Sequence, residues 1–267
     1  MIQDARGQID YDETGSGPTV VLVPGSCSTG AAWRPIMATW DGKYRCVTTS
    51  LLGYGNTAER RTESDPSIIH EAEILEAVIA RAGGPVHLVG HSYGGLTSLV
   101  VALRGKAPLA SLSIVEAPAL ELLRAMGETE RYQDFRSMTE TYFAAFKGGQ
   151  TDAIAAMIDF YGGAGTYASW PERVRAYAVQ TTHVNVLDWA SAMGYPLAPE
   201  GLAKLSVPTV VLTGSQSHPA ARRANQLIAA CIDGATFHIV DGAAHFAIAT
   251  HPREVGAHIA QRIDSAI

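Results

Sequence analysis

The pentapeptide Gly90-His91-Ser92-Tyr93-Gly94 carries the first chemistry in this chain. It ends the apolar run Val86-His87-Leu88-Val89, and helix-forming residues 96–103 follow it. A serine on a sharp turn between a buried strand and a helix is pushed outward with its hydroxyl free. The amide of the next residue, Tyr93, then sits at a helix N-terminus, where its N–H and the helix dipole stabilise an oxyanion. Small residues at 90 and 94 are needed because larger side chains collide in so tight a turn. A glycine-rich turn with no function has the same five letters, but the flanking strand and helix favour a nucleophile.

A serine hydroxyl is a weak nucleophile at neutral pH and needs a base, which a third group should orient. Of nine histidines, His245 is best placed. It lies in Asp241-Gly242-Ala243-Ala244-His245-Phe246, a small-residue loop between the last expected strand and the last expected helix. That loop belongs at the carboxyl edge of a parallel sheet, on the same side as Ser92. His91 is expected to serve structure, His87 to be buried on its strand, and His70, His251 and His258 to lie on helix surfaces. The second oxyanion donor is expected from the loop Pro24-Gly25-Ser26-Cys27-Ser28-Thr29-Gly30, with the amide of Ser26 as the candidate. Cys27 has no local signature of a nucleophile and reads as a packing residue.

These groups need a scaffold, and the sequence spells one out. Short apolar runs at 19–23, 44–49, 86–91, 109–115, 207–213 and 235–240 are continuous rather than alternating, and helical stretches separate them. That pattern marks a mostly parallel, doubly wound α/β sheet buried on both faces. A short antiparallel strand is expected near 8–11. The clearest helix is expected from Asp65 as N-cap and Pro66 as first residue to a stop at Gly83, with Ile68, Ala72, Leu75 and Ile79 on one face. Residues 119–205 break the alternation. They hold no convincing strand and many aromatics, and read as a helical cap inserted into a core made of 1–118 and 206–267. Most of those aromatics should form the cap's own core, and some should face the gap between cap and sheet.

Composition narrows the class further. The chain has 267 residues, 47% of them hydrophobic, and a formal charge of −6. No run of Lys or Arg suggests nucleic acid, and no apolar segment is long enough to span a membrane. The N-terminus lacks the pattern of a signal peptide. Three scattered cysteines argue against a disulfide framework or a zinc site and for a reducing compartment, so a cytoplasmic location is expected. No metal or organic cofactor is implied, and a small molecule is the expected partner.

Taken together, the Gly25 loop with Trp33 downstream, the Gly53-Tyr54-Gly55 loop, the turn at Ser92 and the His245 loop followed by Pro252 resemble the α/β-hydrolase fold superfamily, in its compact form with a helical cap. The resemblance spans essentially the whole chain and is specific for the fold, not for a substrate. Three departures stand out. Pro24-Gly25 replaces the usual His-Gly, which implies a different loop anchor. Ser50 and Leu52 stand where Asp and Pro are usual. Gly214-Ser215-Gln216-Ser217 places Ser217 where the triad acid is expected. A serine cannot neutralise an imidazolium, so either the triad is a dyad or another acid serves. Some family members carry the acid after the preceding sheet strand, which here ends in Glu116. Glu116 is therefore the expected partner of His245, ahead of Asp241 and Asp188. The implied activity is hydrolysis of a small to medium, apolar carboxylic ester or lactone. The alternatives are a hydroxynitrile lyase or C–C bond hydrolase on the same fold, and a ligand-binding, catalytically weakened homologue. Ser92 in place of Asp argues against dehalogenase or epoxide hydrolase chemistry.

Overall fold

The computed structural model describes residues 1–266. Strands β1 (Ile2–Asp4) and β2 (Gly7–Ile9) form an antiparallel hairpin, and β3 (Asp12–Thr14) starts the main sheet. Then come β4 (Thr19–Val23), a 3-10 turn (Gly30–Trp33), α1 (Arg34–Thr39), β5 (Arg45–Thr48), α2 (Ile69–Ala82), β6 (Val86–His91), α3 (Tyr93–Arg104) and β7 (Leu109–Val115). Only helices follow until the sheet resumes: α4 (Leu120–Ala125), α5 (Thr129–Lys147), α6 (Ile154–Gly162), α7 (Thr166–Ser169), α8 (Glu172–Gln180), α9 (Thr182–Gly194) and α10 (Pro199–Leu202). The chain ends with β8 (Thr209–Gly214), α11 (Pro219–Cys231), β9 (Thr236–Val240), α12 (Ala247–Thr250) and α13 (Pro252–Asp264).

Among the described residues the main sheet runs β3-β5-β4-β6-β7-β8-β9, with only the β3–β5 pair antiparallel. Its central strands are buried on both sides, which explains their unbroken apolar runs. On β6, Val86 and Leu88 pack into one core cluster while Val89 packs into the other, under α1 and α13. The expected α/β architecture is therefore present.

Strand order reverses between β4 and β6. From β4 the chain steps out to β5, then returns across β4 to β6. Such a switch point opens a crevice beyond the carboxyl ends of the two strands, because their connections leave in opposite directions. Val23 pairs with Gly90 there, so the Pro24–Ser26 loop and Ser92 emerge side by side.

Two local expectations are corrected. The helix placed at Asp65–Pro66 begins at Ile69, with Ile68 as its N-cap. Asp65 is not a cap because its backbone pairs with Thr62 and its carboxylate bonds His70 Nε2 at 2.8 Å. The Pro66 carbonyl accepts a bond from Ser191 instead of opening the helix. Near the N-terminus, the antiparallel strand expected around 8–11 stops at Ile9 as β2 and pairs with β1, while the separate β3 begins at Asp12 and joins the main sheet.

Candidate active site

Ser92 has φ 53° and ψ −128°, backbone angles that cost a non-glycine residue energy and that only a rigid surround maintains. The surround is visible in its neighbours. A side chain at Gly90 would strike the Gly94 carbonyl, and one at Gly94 would strike the carbonyl of Pro24. The close approach of Gly94 to Pro24 anchors the loop that lacks the usual His-Gly. The Ser92 amide donates to the Val115 carbonyl at 2.8 Å, tying the turn to β7.

His245 Nε2 lies 2.9 Å from Ser92 Oγ. Its Nδ1 faces Glu116 Oε2 at 3.3 Å. The structure therefore brings together Ser92, His245 and Glu116 in the expected order. Glu116 itself has φ 57°, and with Ser92 and Cys27 it makes three of the four non-glycine residues of positive φ among the described residues. Strain thus collects at this one edge of the sheet.

Glu116 is fully buried, and its cradle explains how it is accommodated. Oε1 accepts bonds from the Ser217 hydroxyl, the Thr213 hydroxyl and the Gly214 amide, each at 2.6 Å. Burial opposes ionisation, but His245, Ser217 and Thr213 outweigh it and hold the carboxyl below its usual range. Ser217 is therefore not simply a vacated acid position. It donates to the Glu116 carboxylate, whose other oxygen faces His245. Asp241 is exposed and bonds Ser215 at 3.2 Å, and Asp188 bonds other partners; neither touches His245.

His91 serves structure as expected. Its Nε2 lies 2.9 Å from the His245 carbonyl, and a carbonyl only accepts, so His91 carries its proton there. Burial and the neighbouring His245 push its pKa down to about 3, which keeps the ring neutral. His87 is buried and bonds Ser111 at 2.8 Å. Burial pushes the Cys27 thiol up to about 12, so it is no thiolate nucleophile at neutral pH. His70, His251 and His258 are half-buried rather than free on helix surfaces: His70 pairs with Asp65, His251 begins α13 and His258 stacks on His238 at 4.3 Å.

Tyr93 is the first residue of α3, so its N–H has no intrahelical acceptor. The Ser26 amide likewise donates to no protein group among the described residues. Both residues line the same cavity as Ser92. This cavity, of about 660 Å³, opens above them, and its wall is largely apolar. Met157, Ile158, Tyr161, Trp170, Val174 and Trp189 of the helical segment face Ala32, Pro118, Phe246 and Ile248 of the sheet side. Tyr161 lies over His245, ring centroids 4.1 Å apart. Phe135 and Tyr142 pack among the helices instead. Lys147 and Lys204 are exposed, and Arg173 is the cation on the cavity wall, at its exposed rim.

One part of the site was not legible in the sequence. Asp188 of α9 is buried and bonds Ser26 Oγ at 2.5 Å, Tyr54 Oη at 2.7 Å and Arg61 Nη1 at 2.7 Å. Arg61 is buried too, and it also meets Glu59 at 2.7 Å and Glu71 at 3.2 Å. Burial opposes the Arg61 charge, but Asp188 and Glu59 outweigh that and keep it protonated. Burial drives Glu71 up to about 8, so it is largely protonated at pH 7. The one available signal was an acid on the apolar face Val184, Asp188, Trp189 and Ala192 of α9.

A model of the alpha/beta hydrolase family matches residues 20–258, and the chain belongs to that family. It is 24% identical to a 2-hydroxy-6-oxo-6-(2'-aminophenyl)hexa-2,4-dienoic acid hydrolase of Metapseudomonas resinovorans, over 91% of this chain and 83% of that protein. Protein phosphatase methylesterase 1 of Bos taurus is 25% identical over 52% of this chain, which covers 40% of that relative. Among solved structures, Est816, described as an N-acyl homoserine lactone degrading enzyme, superposes with a TM-score of 0.76 at 18% identity, covering 97% of this chain and 98% of that one. The esterase EaEST of Exiguobacterium antarcticum also gives a TM-score of 0.76, at 17% identity, covering 97% and 96%.

Proposed function

We propose that this hydrolase cleaves a small to medium, largely apolar carboxylic ester or lactone through an acyl-enzyme on Ser92. The observation that carries the reading is the 2.9 Å approach of His245 Nε2 to Ser92 Oγ beneath an apolar cavity. His245 takes the Ser92 proton as the hydroxyl attacks the carbonyl. The N–H groups of Ser26 and Tyr93 receive the oxyanion, which is the largest single contribution in reactions of this kind. The imidazolium is stabilised by Glu116, the triad acid in this reading, and its proton passes to the leaving alcohol. Water, deprotonated by the same imidazole, then releases the acid. Residues 119–205 act as a cap that closes the apolar pocket over a core of residues 1–118 and 206–267.

A second reading has one specific support, the dienoic acid hydrolase relative. A compound of that name contains no ester, so its hydrolysis breaks a carbon–carbon bond. Its carboxylate needs a cation in the pocket, and Arg173 at the exposed rim is the cation on this cavity wall. That favours the ester or lactone.

The test uses a fluorophosphonate probe and p-nitrophenyl esters of increasing acyl length. Wild-type protein is expected to label and to turn over, and Ser92→Ala is expected to lose both, with turnover down by about 10³-fold or more. Labelling that persists in Ser92→Ala, or no turnover in the wild type, defeats the proposal.

A further inference from the structure

The buried Arg61–Asp188 pair lies outside the proposed Ser92–His245–Glu116 relay, yet it touches both residues assigned as oxyanion donors. Asp188 Oδ2 accepts from Ser26 Oγ at 2.5 Å, and Arg61 Nη1 lies 3.3 Å from the Tyr93 hydroxyl. We infer that Arg61 and Asp188 are positioning residues that set the oxyanion hole, with Asp188 reaching from the helical segment to hold the Ser26 loop. This rests on the reading of Ser26 and Tyr93 as the donors.

Three features lead there. First, the Ser26 loop needs holding. Cys27 takes φ 55°, a conformation that strains a non-glycine residue and persists only when its surroundings impose it. A donor amide in such a loop is useful only if fixed before the charge develops. Second, Asp188 has no other task open to it. Its two oxygens are engaged by Ser26, Tyr54 and Arg61, while Glu116 occupies the free nitrogen of His245. Third, the pair is itself rigidly held. Glu59 Oε2 binds Arg61 Nη2 at 2.7 Å, and Glu71 Oε2 accepts from the Leu52 amide at 3.2 Å. Removing two charges from water is costly, so a buried pair is poor evidence of added stability by itself. Its place between α9, the Ser26 loop and the first turn of α3 gives it a geometric purpose.

The position of Asp188 also gives the bond a consequence. Asp188 and Trp189 are neighbours on the cavity wall of α9, and Asn185 lies one turn before them. A substrate pressed against that face presses on the element that holds the oxyanion loop.

The experiment compares Ser26→Ala, Asp188→Asn and the double variant in ester turnover, with rates normalised to sites titrated by the fluorophosphonate. Ser26→Ala deletes only Oγ and leaves the backbone N–H in place. The oxyanion exists only on the way to the transition state, so a misplaced donor lowers kcat and kcat/KM together and leaves KM nearly unchanged. Each single variant is expected to lose about tenfold in kcat, with KM within about twofold, and the double variant is expected to lose less than the product of the two, because both act through the shared Ser26–Asp188 contact. Wild-type kcat per titrated site in Ser26→Ala overturns the inference, even if Asp188→Asn fails to fold. So do losses that multiply in the double variant. Absence of any Ser92-dependent turnover defeats the underlying reading instead, so the two failures are distinct.

Discussion

Two buried carboxylates flank Ser92, and the protein holds them in opposite ways. Glu116 stands at the end of a core strand and is met by neutral donors: two hydroxyls and an amide on one oxygen, and the imidazole on the other. Asp188 comes from the helical segment and is met by a buried guanidinium shared with Glu59 and Glu71. The outcomes differ accordingly. Burial resists the Glu116 charge, and its donors overcome that, so the carboxyl sits below its ordinary range. Burial pushes Asp188 above its ordinary range against the pull of Arg61 and Ser26. A carboxylate held ionised by His245 together with hydroxyl and amide donors keeps its charge beside the ring that becomes an imidazolium in the proposed reaction. A carboxylate that already faces an arginine is electrostatically spent and is suited to holding geometry. In the proposed reaction, that difference separates a group that answers charge from one that fixes geometry.

The largest effects are expected from neutralising each acid in turn. Glu116→Gln is expected to lower kcat by about 10³–10⁴-fold, since the imidazolium loses its counter-charge and the ring its tautomer. Asp188→Asn is expected to cost only about tenfold. Equal losses, measured per titrated site, erase the distinction. The comparison sharpens if Ser217→Asp, added to Glu116→Gln, returns part of the lost turnover, because position 217 already lies within 2.6 Å of Glu116 Oε1.

Next in size is Ser217→Ala. It removes one of the donors that favour the charged carboxylate, so the Glu116 pKa should rise toward its ordinary value. A depressed carboxylate contributes stability above the ordinary carboxylate range and loses it as pH falls through the folded pKa. Acid unfolding of Ser217→Ala, followed by circular dichroism, should therefore begin at a higher pH than in the wild type. An unchanged acid midpoint would show that the Ser217 bond does not matter to the cradle.

The smallest effect on activity is expected for Glu71→Gln, whose consequence lies in stability. Glu71 titrates at about 8 in the folded chain, against the ordinary 4.5. The folded state holds that proton where the unfolded state has released it, so burying Glu71 costs increasing stability as pH rises from about 4.5 to about 8. Glutamine removes the titration and can keep the bond from the Leu52 amide. The Tm advantage of Glu71→Gln over wild type should grow across that window and level off above it. A Tm difference that stays flat from pH 5 to pH 8 contradicts the protonated state assigned to Glu71.

The sequence carried more of one acid's story than of the other's. Glu116 could be placed because the family resemblance implies an acid after this strand when Ser217 holds the usual position, and because strand ends in a parallel sheet converge on one edge. The same logic located Ser92, the Ser26 loop and His245, since each follows a continuous apolar run. The start of α2 was misplaced because the Asp65–Pro66 signal for a helix cap was local, while the pairing of Asp65 with Thr62 and His70 is a tertiary choice. Asp188 could be listed only as a distant alternative acid. Its partners lie 127, 134 and 162 residues away, and no spacing rule links such positions.

By itself, then, the sequence determined the order of the core strands and helices, the turn that carries Ser92, and the edge of the sheet where Ser92, His245 and Glu116 meet. Those features follow from local sterics and hydrophobic periodicity, which act over a few residues at a time. Only the tertiary structure decided that Ser217 bonds Glu116, that Asp188 bonds Ser26, and that the helical segment reaches the Ser26 loop. Those contacts depend on how distant segments pack and on which buried charges find partners, and packing of that kind leaves no periodic trace in the chain.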